Sequence, residues 1–430
     1  MPFFPTVKEL PPDNTIDQIR KDALLMIKTI ISENMPEKSV LNALVRHEFH
    51  DNVYVVSIGK AAWTMAKAAS DFLGKKNVKG IVITKYQHSQ GTILNMDIFE
   101  AGHPTPDANS LSATQHAVEL ARGLTGNDEL LFLVSGGGSS LFELPKDGIT
   151  LEDLASITNR LLASGADIVE VNIIRKRLSK VKAGRFAEIC KPARIFSVAL
   201  SDVLGDRLDS IASGPAAPDT STKDDALAIV EKYGIELTEF QKSCLAEETP
   251  KQVDNALTVI TGSVRLLCEA AANSARLLGY TPYVLTSVLN CEAAEAGKFL
   301  ACIAADTGNP ETMFKRPCAI IVGGETTVRV RGDGKGGRNQ ELALAAAKGI
   351  ASLENTLVFS FGSDGTDGPT EAAGGMVDCR TLDQLRGLGL NIDNIIGNND
   401  SYHGLKAVGG LIITGPTGTN VNDVSVVLCR

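Results

Sequence analysis

The stretch that decides the fold is LLFLVSGGGSS at residues 130–140. Five apolar residues run directly into a loop of glycine and serine, which is typical of a buried strand that ends at the ligand-binding edge of a parallel sheet. The backbone N–H groups of the loop and the hydroxyls of Ser139 and Ser140 favour an anion, either a carboxylate or a phosphate. A flexible turn is the alternative, because Gly-Ser runs are also common in linkers.

Four other apolar runs end in the same manner, in residues suited to ligand binding. They are 53–58 before Gly59-Lys60, 195–200 before Ser201-Asp202, 319–322 before residues 323–326, and 358–361 before residues 362–368. Since ligands bind at the carboxyl ends of strands in open α/β sheets, we expect these loops to form a built site.

Amphipathic segments with helical spacing separate the apolar runs, so the sequence predicts an α/β fold with mainly parallel sheets covered by helices. A chain of 430 residues exceeds one ordinary core, and we expect two α/β domains, at residues 1–250 and 251–430. The polar residues 219–254 are interpreted as a connector between them. Residues 326–331 alternate polar and apolar side chains, which predicts an antiparallel strand in the second domain.

Composition and charge exclude several kinds of partner and location. The formal net charge of −9 argues against nucleic acid as the main partner, because a phosphate backbone requires a basic face. No apolar stretch reaches the roughly 18–20 residues that a membrane span needs, and the N-terminal residues lack the features of a signal peptide. The eight cysteines include no C-x-x-C pair, which indicates reduced thiols of a cytoplasmic protein rather than a zinc site.

Two cations follow glycine and are candidates for binding an anion. Lys60 begins a helix, where its ammonium could pair with a carboxylate or phosphate, although a solvated lysine is the alternative. Arg338 follows the glycines of GDGKGG at residues 332–337, which fit G-x-G-x-x-G. The preceding segment is polar and no acidic residue lies about twenty positions later, so a dinucleotide fold is disfavoured. We expect instead an arm that brings the guanidinium of Arg338 to phosphate oxygens.

Acidic residues cluster in two of the loops, Asp202 with Asp206 and Asp364 with Asp367. Carboxylates in these positions could hold Mg²⁺ for phosphoryl transfer, or one could take the proton from an attacking hydroxyl. Turn formation is the alternative, because Asp-Gly pairs are frequent in turns.

Three other features receive structural or neutral interpretations. The basic run at residues 175–182 predicts a solvated helix face, although it could also direct cations at an acidic ligand. His103 lies in a rigid turn between Gly102 and Pro104, where a structural role is expected. Asn399 begins a glycosylation sequon, which we discount because no signal peptide is present.

Taken together, these residues resemble the class II glycerate kinases, the glycerate 2-kinases whose C-terminal half is called the MOFRL domain. The resemblance covers most of the chain and rests on SIGKAA at 57–62, AGHPTPD at 101–107, VSGGGSS at 134–140, LSDVLGD at 200–206, IASGP at 211–215, GGETT at 323–327, GGRNQE at 336–341 and SDGTDGP at 363–369, in this order. Two departures are Ala183, where a second glycine is expected, and Ala216, where a threonine is common.

The resemblance implies a larger Rossmann-like N-terminal α/β domain and a smaller C-terminal α/β MOFRL domain, with an active-site cleft between them. It also implies a kinase that uses ATP and Mg²⁺, or another divalent cation, to phosphorylate D-glycerate at its 2-hydroxyl. Positions matching Lys60 and Arg338 are the best-supported functional positions of the family. The expected partners are the small molecules D-glycerate and ATP, without nucleic acid or a membrane, and a homodimer is compatible with the sequence.

The expected site combines the loops with the resemblance. Its catalytic candidates are Lys60, Arg338 and Asp202; its substrate-binding candidates are Lys60, Ser135, Gly136, Gly137, Gly138, Ser139, Ser140 and Arg338; its nucleotide-binding candidates are Gly323, Gly324, Glu325, Thr326, Gly336, Gly337 and Asn339; and its metal-binding candidates are Asp202 and Asp364. Two other classes of function stay open. One is an oxidoreductase acting on hydroxypyruvate, a name that relatives of this family have carried, and the other is a non-catalytic protein that binds small acids.

Overall fold

The computed structural model of the protein describes residues 15–430. Contacts divide the chain into two units. Residues Pro36–Thr261 form what we call the central unit, and the described residues up to Met35 together with Gly262–Arg430 form the terminal unit. Within the described residues, no helix has the length and apolar character that crossing a bilayer requires.

Helices and strands alternate along the chain. The helices are α1 (Thr15–Glu33), α2 (Pro36–Leu44), α3 (Ala62–Leu73), α4 (Ala108–Arg122), α5 (Gly138–Leu141), α6 (Leu151–Ala163), α7 (Ile168–Leu178), α8 (Arg185–Cys190), α9 (Lys223–Lys232), α10 (Glu239–Ala246), α11 (Val264–Leu277), α12 (Ala293–Asp306), α13 (Arg338–Ile350), α14 (Thr381–Gly387), α15 (Ile392–Gly397) and α16 (Ser401–Ala407). The strands are β1 (Asn52–Ile58), β2 (Asn77–Lys85), β3 (Met96–Ala101), β4 (Asp128–Val134), β5 (Arg194–Leu200), β6 (Ala256–Gly262), β7 (Thr281–Leu289), β8 (Cys318–Gly324), β9 (Thr356–Gly362), β10 (Gly374–Asp378), β11 (Leu411–Ile412) and β12 (Asp423–Cys429).

The central unit is built on a six-stranded sheet in the order β3-β2-β1-β4-β5-β6. The pairs from β3 through β5 are all parallel. Every residue of β4 is buried, as expected for a strand that helices cover on both faces. The strands predicted at 53–58, 130–134 and 195–200 are confirmed as β1, β4 and β5. Their carboxyl ends, and the loops that follow them, therefore lie at one edge of the sheet.

The predicted connector at residues 219–254 is wrong. These residues belong to the central unit, where α9 and α10 pack against α7. Buried side chains such as Ala226, Ile229 and Leu245 join the apolar residues of α6 and α7 in a second core. The segment is polar because its helices bury one narrow face and expose the rest.

The terminal unit contains a mixed six-stranded sheet in the order β11-β10-β9-β12-β8-β7. β7 and β8 pair in parallel, whereas β12 pairs antiparallel with both β8 and β9. The buried helix α13 packs against α12, and Gly297 allows this because a Cβ there would lie 2.1 Å from Leu342 O. An antiparallel element in the second half of the chain was expected, and the register places Asp423 between Gly324 and Gly362.

The antiparallel element lies elsewhere than predicted. Residues 326–331 form no strand, and Thr327 makes an isolated bridge to Glu292. The N–H of Thr327 donates to Cys291 O at 2.9 Å, and that of Arg331 donates to the Asn399 side chain at 2.7 Å. Because partners outside any sheet take these donors, the alternating pattern does not become a ladder.

The first helix belongs to the terminal unit, although the predicted domain of residues 1–250 included it. The buried carboxylate of Asp22 accepts hydrogen bonds from the Tyr280 hydroxyl at 2.7 Å and from Gln18 Nε2 at 2.8 Å. Arg430 Nη2 lies 3.1 Å from the same carboxylate. The contacts therefore join α1 and Arg430 in one unit, and the central unit ends at Thr261.

Replacing Asp22 with alanine tests this assignment. We expect Asp22→Ala to lower the free energy of unfolding by about 2–4 kcal/mol, because it leaves three donors without their buried acceptor. Asp71→Ala is the control, since its carboxylate is exposed and pairs only with Lys67 on the same helix. We expect it to change stability by less than about 0.5 kcal/mol in the same denaturant titration. Equal stability of the two variants would contradict the packing of α1.

Candidate functional site

Backbone hydrogen bonds attach the glycine-serine loop to the end of β1. The N–H of Ser135 donates to Ile58 O at 2.9 Å, and the N–H of Lys60 donates to Gly136 O at 2.9 Å. The Ser135 hydroxyl accepts from the N–H of Ala61 at 3.1 Å. These bonds fix Lys60 beside the loop, so two of the predicted site segments are brought together.

Gly59 makes this close approach possible. Its φ of +111° lies in the region that favours glycine. A Cβ at this position would lie 2.2 Å from Ser135 Oγ and 2.4 Å from Ser135 O. Any larger residue at 59 would therefore displace the loop from the end of β1.

Three backbone N–H groups of the loop are available to a ligand. Those of Gly138, Ser140 and Leu141 donate to carbonyl oxygens within the loop, at 3.2–3.3 Å. By contrast, the N–H groups of Gly136, Gly137 and Ser139 donate to no atom of residues 15–430.

Gly137 has a φ of +84° and precedes the single turn of α5. Neighbouring N–H groups around a left-handed glycine form a concave anion site, so this geometry supports the predicted role of the loop.

Buried cations bind the carbonyl groups of the loop. Lys182 Nζ donates to Ser139 O at 2.7 Å and to Phe142 O at 3.1 Å, and it lies 3.3 Å from Glu143 Oε2. Burial lowers the pKa of Lys182 to about 8, although the Glu143 carboxylate opposes this change. Lys182 therefore binds the carbonyl oxygens of Ser139 and Phe142, and it does not occupy the free N–H groups of the loop.

The expectation that the basic run 175–182 is solvated is wrong. Lys176, Arg177 and Lys182 are all buried. Lys176 Nζ lies 3.2 Å from Asp219 Oδ1, and Arg177 Nη1 lies 3.6 Å from Asp219 Oδ2. These cations are structural, and the sequence could not reveal it because their partner lies 43 residues from Lys176.

Positive charge concentrates at the same edge of the sheet. The ammonium groups of Lys60 and Lys85 form no ion pair with any of residues 15–430. Burial and the charges of Lys60, Lys85 and His88 lower the pKa of His103 to about 4. A bound anion would offset this positive charge. The sequence indicated Lys60 as a candidate, but it did not show that Lys85 and His88 lie near the same place.

A strained turn contacts the loop. Ala212, Ser213 and Gly214 have successive φ values of +49°, +62° and +67°, and the Ser213 hydroxyl lies 3.0 Å from the Ser139 hydroxyl. Left-handed backbone costs about 1–2 kcal/mol for a residue with a Cβ, and such strain concentrates at functional sites. The sequence placed this turn among the family segments but gave no indication of its contact with Ser139.

Two positions noted in the sequence also lie near this edge. Asp202 is half-buried in the loop that follows β5, the strand next to β4. Ala183, where a glycine is expected by resemblance, has a φ of +56°. The position therefore does favour glycine, and alanine occupies it with strain.

In the terminal unit, Arg338 is paired with two carboxylates. Its Nε and Nη2 donate to Asp423 at 2.6 and 3.1 Å, and its Nη1 donates to Glu325 at 2.9 Å. Burial lowers the pKa of Arg338, but the hydrogen bonds to Asp423 and the charge of Glu325 raise it above its ordinary value. Burial raises the pKa of Asp423 to about 6, although Arg338 stabilises the carboxylate. Asp423 could not be identified as the partner of Arg338 from the sequence, because it lies next to Gly324 and Gly362 only in the folded sheet.

Asp367 caps the first turn of α13. Its carboxylate accepts from the N–H and side-chain amide of Asn339 at 3.1 and 3.3 Å, and from those of Gln340 at 2.9 and 3.0 Å. Burial raises the pKa of Asp367, which these hydrogen bonds oppose. The predicted nucleotide ligand Asn339 is thus engaged with Asp367, and the start of the helix is already capped.

The glycine-rich segment 332–337 does not present its first amides to a ligand. The N–H groups of residues 331–335 donate to Asn398, Asn399 and Asp400 at 2.7–3.2 Å. The Asn399 side chain also donates to Glu341 Oε2 at 3.1 Å. Asn399, which matched a glycosylation sequon, therefore fixes this segment, and the N–H groups of residues 332–335 are not free for a dinucleotide phosphate.

The other predicted nucleotide-binding glycines lie against neighbouring atoms. A Cβ at each would clash with Cys268 Sγ at 2.5 Å (Gly323), Leu289 O at 2.1 Å (Gly324), Ser401 Oγ at 2.2 Å (Gly336) and Asp367 Cγ at 2.3 Å (Gly337). Packing alone therefore requires glycine at these positions. Thr326 is buried beside them, and Glu325 is the exposed member of the group.

No group of three His, Cys, Asp or Glu side chains within residues 15–430 is arranged to hold a metal ion. Asp364 is half-buried, and its Oδ1 accepts from the N–H and hydroxyl of Thr366 at 2.9 and 3.1 Å. Its Oδ2 accepts from none of the described residues. Since Mg²⁺ often takes one or two carboxylates and completes its shell with phosphates and water, Asp364 suits such a site.

Two family models match successive parts of the chain. A family model described as a domain of unknown function, DUF4147, matches residues 18–246, and the model of the MOFRL family matches residues 318–423. A D-glycerate 2-kinase of Thermotoga maritima is 50% identical over 410 residues, which are 95% of this chain and 98% of that protein. The chain belongs to the MOFRL family of glycerate kinases. The expected family is thereby confirmed.

A solved structure and a differently named relative complete the comparison. The crystal structure of a glycerate kinase from Thermotoga maritima superposes with a TM-score of 0.94, at 49% identity, and covers 96% of this chain and 100% of that chain. A protein of Agrobacterium vitis named a putative hydroxypyruvate reductase is 37% identical over 91% of this chain and 90% of its own length. The fold class is thus confirmed as a mixed α/β protein of this family.

Two glycine variants test the contact between β1 and the loop. Gly59 and Gly91 have φ values of +111° and +112°, but a Cβ at Gly91 would have no neighbour within 4 Å. We expect Gly59→Ala to lower the free energy of unfolding by about 2–3 kcal/mol more than Gly91→Ala, because only it collides with Ser135. Denaturant titration measures both, and an equal loss of stability would show that the backbone conformation alone requires Gly59.

Proposed function

We propose that the protein is an ATP-dependent kinase that phosphorylates D-glycerate at its 2-hydroxyl, giving 2-phospho-D-glycerate and ADP. The observation that carries the proposal is the group of donors at the end of β1, where the unpaired Lys60 lies beside the free N–H groups of the loop. The 50% identity to a D-glycerate 2-kinase over nearly the whole chain supports the choice of anion. We also infer a cytoplasmic location, since all eight cysteines are free thiols.

The acceptor carboxylate is assigned to the central unit. Lys60 supplies a charge, and the N–H groups of Gly136, Gly137 and Ser139 supply three donors for two carboxylate oxygens. Lys85 adds a second cation, which also suits the phosphate of the product. The rest of the loop from Ser135 to Ser140 positions these donors, and charge-assisted hydrogen bonds of this kind are roughly twice as strong as neutral ones.

Arg338 is assigned to the phosphoryl group rather than to the carboxylate of glycerate. Its guanidinium is paired with Asp423, whose side chain is 8% exposed, and with Glu325, whose side chain is 44% exposed. A phosphate can compete with the exposed partner more readily than with the buried one. Residues 323–326, Gly336, Gly337 and Asn339 are proposed to bind the nucleotide. Among the side chains of this region, those of Arg338 and Glu325 are accessible to a ligand.

Mg²⁺ is assigned to Asp364, with Asp202 as the second candidate. The unengaged Oδ2 of Asp364 is a hard oxygen donor of the kind that Mg²⁺ prefers. A bound Mg²⁺ would neutralise charge on the phosphates of ATP. The protein side chains and backbone would supply the rest of the rate acceleration, by positioning the acceptor and neutralising charge.

A hydroxypyruvate reductase is the second candidate, favoured by the name of the Agrobacterium relative. It would need a nicotinamide dinucleotide site, and residues 332–337 were the one sequence match. The N–H groups of residues 332–335 are engaged by Asn398, Asn399 and Asp400, and residues 326–331 before them form no buried parallel strand. Both observations favour the kinase.

Three variants test the proposal. In the wild-type protein, ³¹P NMR after incubation with D-glycerate, ATP and Mg²⁺ should show 2-phosphoglycerate. We expect Lys60→Met to lower kcat/KM for glycerate by at least about 100-fold, with a KM for ATP within about threefold, because a charged partner of the substrate is lost. We expect Arg338→Met to lower kcat by about 100-fold. Lys67→Met, an exposed lysine of α3, is the matched control and should be unchanged.

Three results would contradict the proposal at different levels. A 3-phosphoglycerate product would refute the position of phosphorylation while leaving a kinase. Oxidation of NADH with hydroxypyruvate, without ADP from glycerate and ATP, would refute the reaction class. Loss of glycerate binding in Lys60→Met without turnover in any form of the protein would indicate a binding protein.

A further inference from the structure

His103 lies directly against the glycine-serine loop. A Cβ at Gly137 would lie 2.8 Å from His103 Cδ2, 2.9 Å from His103 Nε2 and 3.4 Å from Lys60 Cγ. The imidazole therefore occupies the space that a side chain at 137 would need, beside the stem of Lys60. Its Nε2 edge faces the part of the loop that carries the free N–H groups.

His103 is the exception among the six histidines of the chain. Each of the others has a hydrogen-bond partner at a ring nitrogen: Glu129 for His47, Asn127 O for His50, Lys60 O for His88, Ser112 O for His116 and Asp400 for His403. The ring nitrogens of His103 have no partner among residues 15–430. A half-buried imidazole without a partner, at the edge of an anion site, suits a hydrogen bond to a ligand.

The surroundings keep His103 in its neutral form. Burial lowers its pKa, and the cations Lys60, Lys85 and His88 lower it further, to about 4. At pH 7 the ring therefore carries one proton and keeps one lone pair free to accept another. A lysine or a protonated histidine could not accept a proton in this position, and no Asp or Glu is among the groups that set its pKa.

We propose that His103 is the general base of the reaction, a role that rests on the function proposed above. As the hydroxyl oxygen of glycerate forms a bond to the γ-phosphorus of ATP, the bond from that phosphorus to the bridging oxygen of ADP breaks. The hydroxyl proton passes to the free lone pair of His103, which we assign to Nε2, and then to water. The net products are phosphoglycerate, ADP and one proton.

Substrate binding would make His103 a better base. In the free protein the charges of Lys60 and Lys85 keep its pKa low. A bound carboxylate and the phosphates of ATP bring negative charge that offsets these cations, so the pKa rises toward neutrality in the complex. The ring would then be neutral before the reaction and basic enough to take the proton during it.

Steady-state kinetics of His103→Gln test the role. Glutamine keeps a polar side chain of similar length but cannot accept the proton, so we expect kcat to fall by about 100-fold or more while the KM for glycerate stays within about threefold. His116→Gln is the matched control, because His116 is exposed on α4 and bonds only its own helix. Added imidazole should restore part of the kcat of His103→Ala and none of that of Lys60→Met.

Proton NMR of the histidine rings supplies a readout that does not depend on turnover. The signal that disappears in His103→Gln should titrate below about pH 5 in the wild-type protein, and its midpoint should rise by about 1 pH unit with saturating D-glycerate. A midpoint near 6.5 that does not change when glycerate is added would overturn the proposal.

The kinetic outcomes separate this proposal from the one on which it rests. A wild-type protein that transfers no phosphate to glycerate would refute the proposed function. If the wild-type protein is active and the kcat of His103→Gln is within threefold of the wild-type value, only the role of His103 is refuted. The same holds if His103→Gln changes KM alone.

Discussion

The candidate site of the central unit depends on one steric constraint, the approach of Ser135 to Gly59. A Cβ at Gly59 would lie 2.2 Å from Ser135 Oγ, so only glycine allows the loop after β4 to bond the end of β1. This contact places Lys60 beside Gly136 and Gly137. Lys182 binds Ser139 O, and the free N–H groups of the loop together with the unpaired lysines form a positive, concave surface suited to an anion.

The terminal unit follows a different principle, because its cation is already neutralised. Arg338 bonds Asp423 and Glu325, and Asp367 caps the helix that Arg338 begins. The glycines of residues 332–337 allow close packing against neighbouring atoms, and the N–H of Gly332 donates to the Asn399 side chain. An anionic ligand of Arg338 therefore meets a guanidinium whose charge two carboxylates already balance, whereas Lys60 and Lys85 of the central unit have no such partner among the described residues. This contrast is why we assign the acceptor acid to the central unit.

The sequence predicted the strands that helices cover on both faces, because continuous burial leaves a continuous apolar run. It also indicated Lys60 and the loop as candidates for binding a ligand, since glycine and lysine directly after such a run are typical of a strand end that binds a ligand. It could not predict the contact of His103 with Gly137 or that of Asp423 with Arg338, because these residues lie far apart in the chain. The basic run 175–182 was misinterpreted for the same reason, because its buried partner Asp219 lies in a segment that looked like a solvated connector.

Direct binding of D-glycerate in the absence of nucleotide tests the central claim, that the strand ends of the central unit hold the acceptor acid. Isothermal titration would compare the wild-type protein with Lys60→Met and Arg338→Met. Our account predicts that Lys60→Met weakens glycerate binding by at least about 100-fold, whereas Arg338→Met leaves the Kd within about threefold. Unchanged binding in Lys60→Met, or loss of binding in Arg338→Met alone, would contradict it.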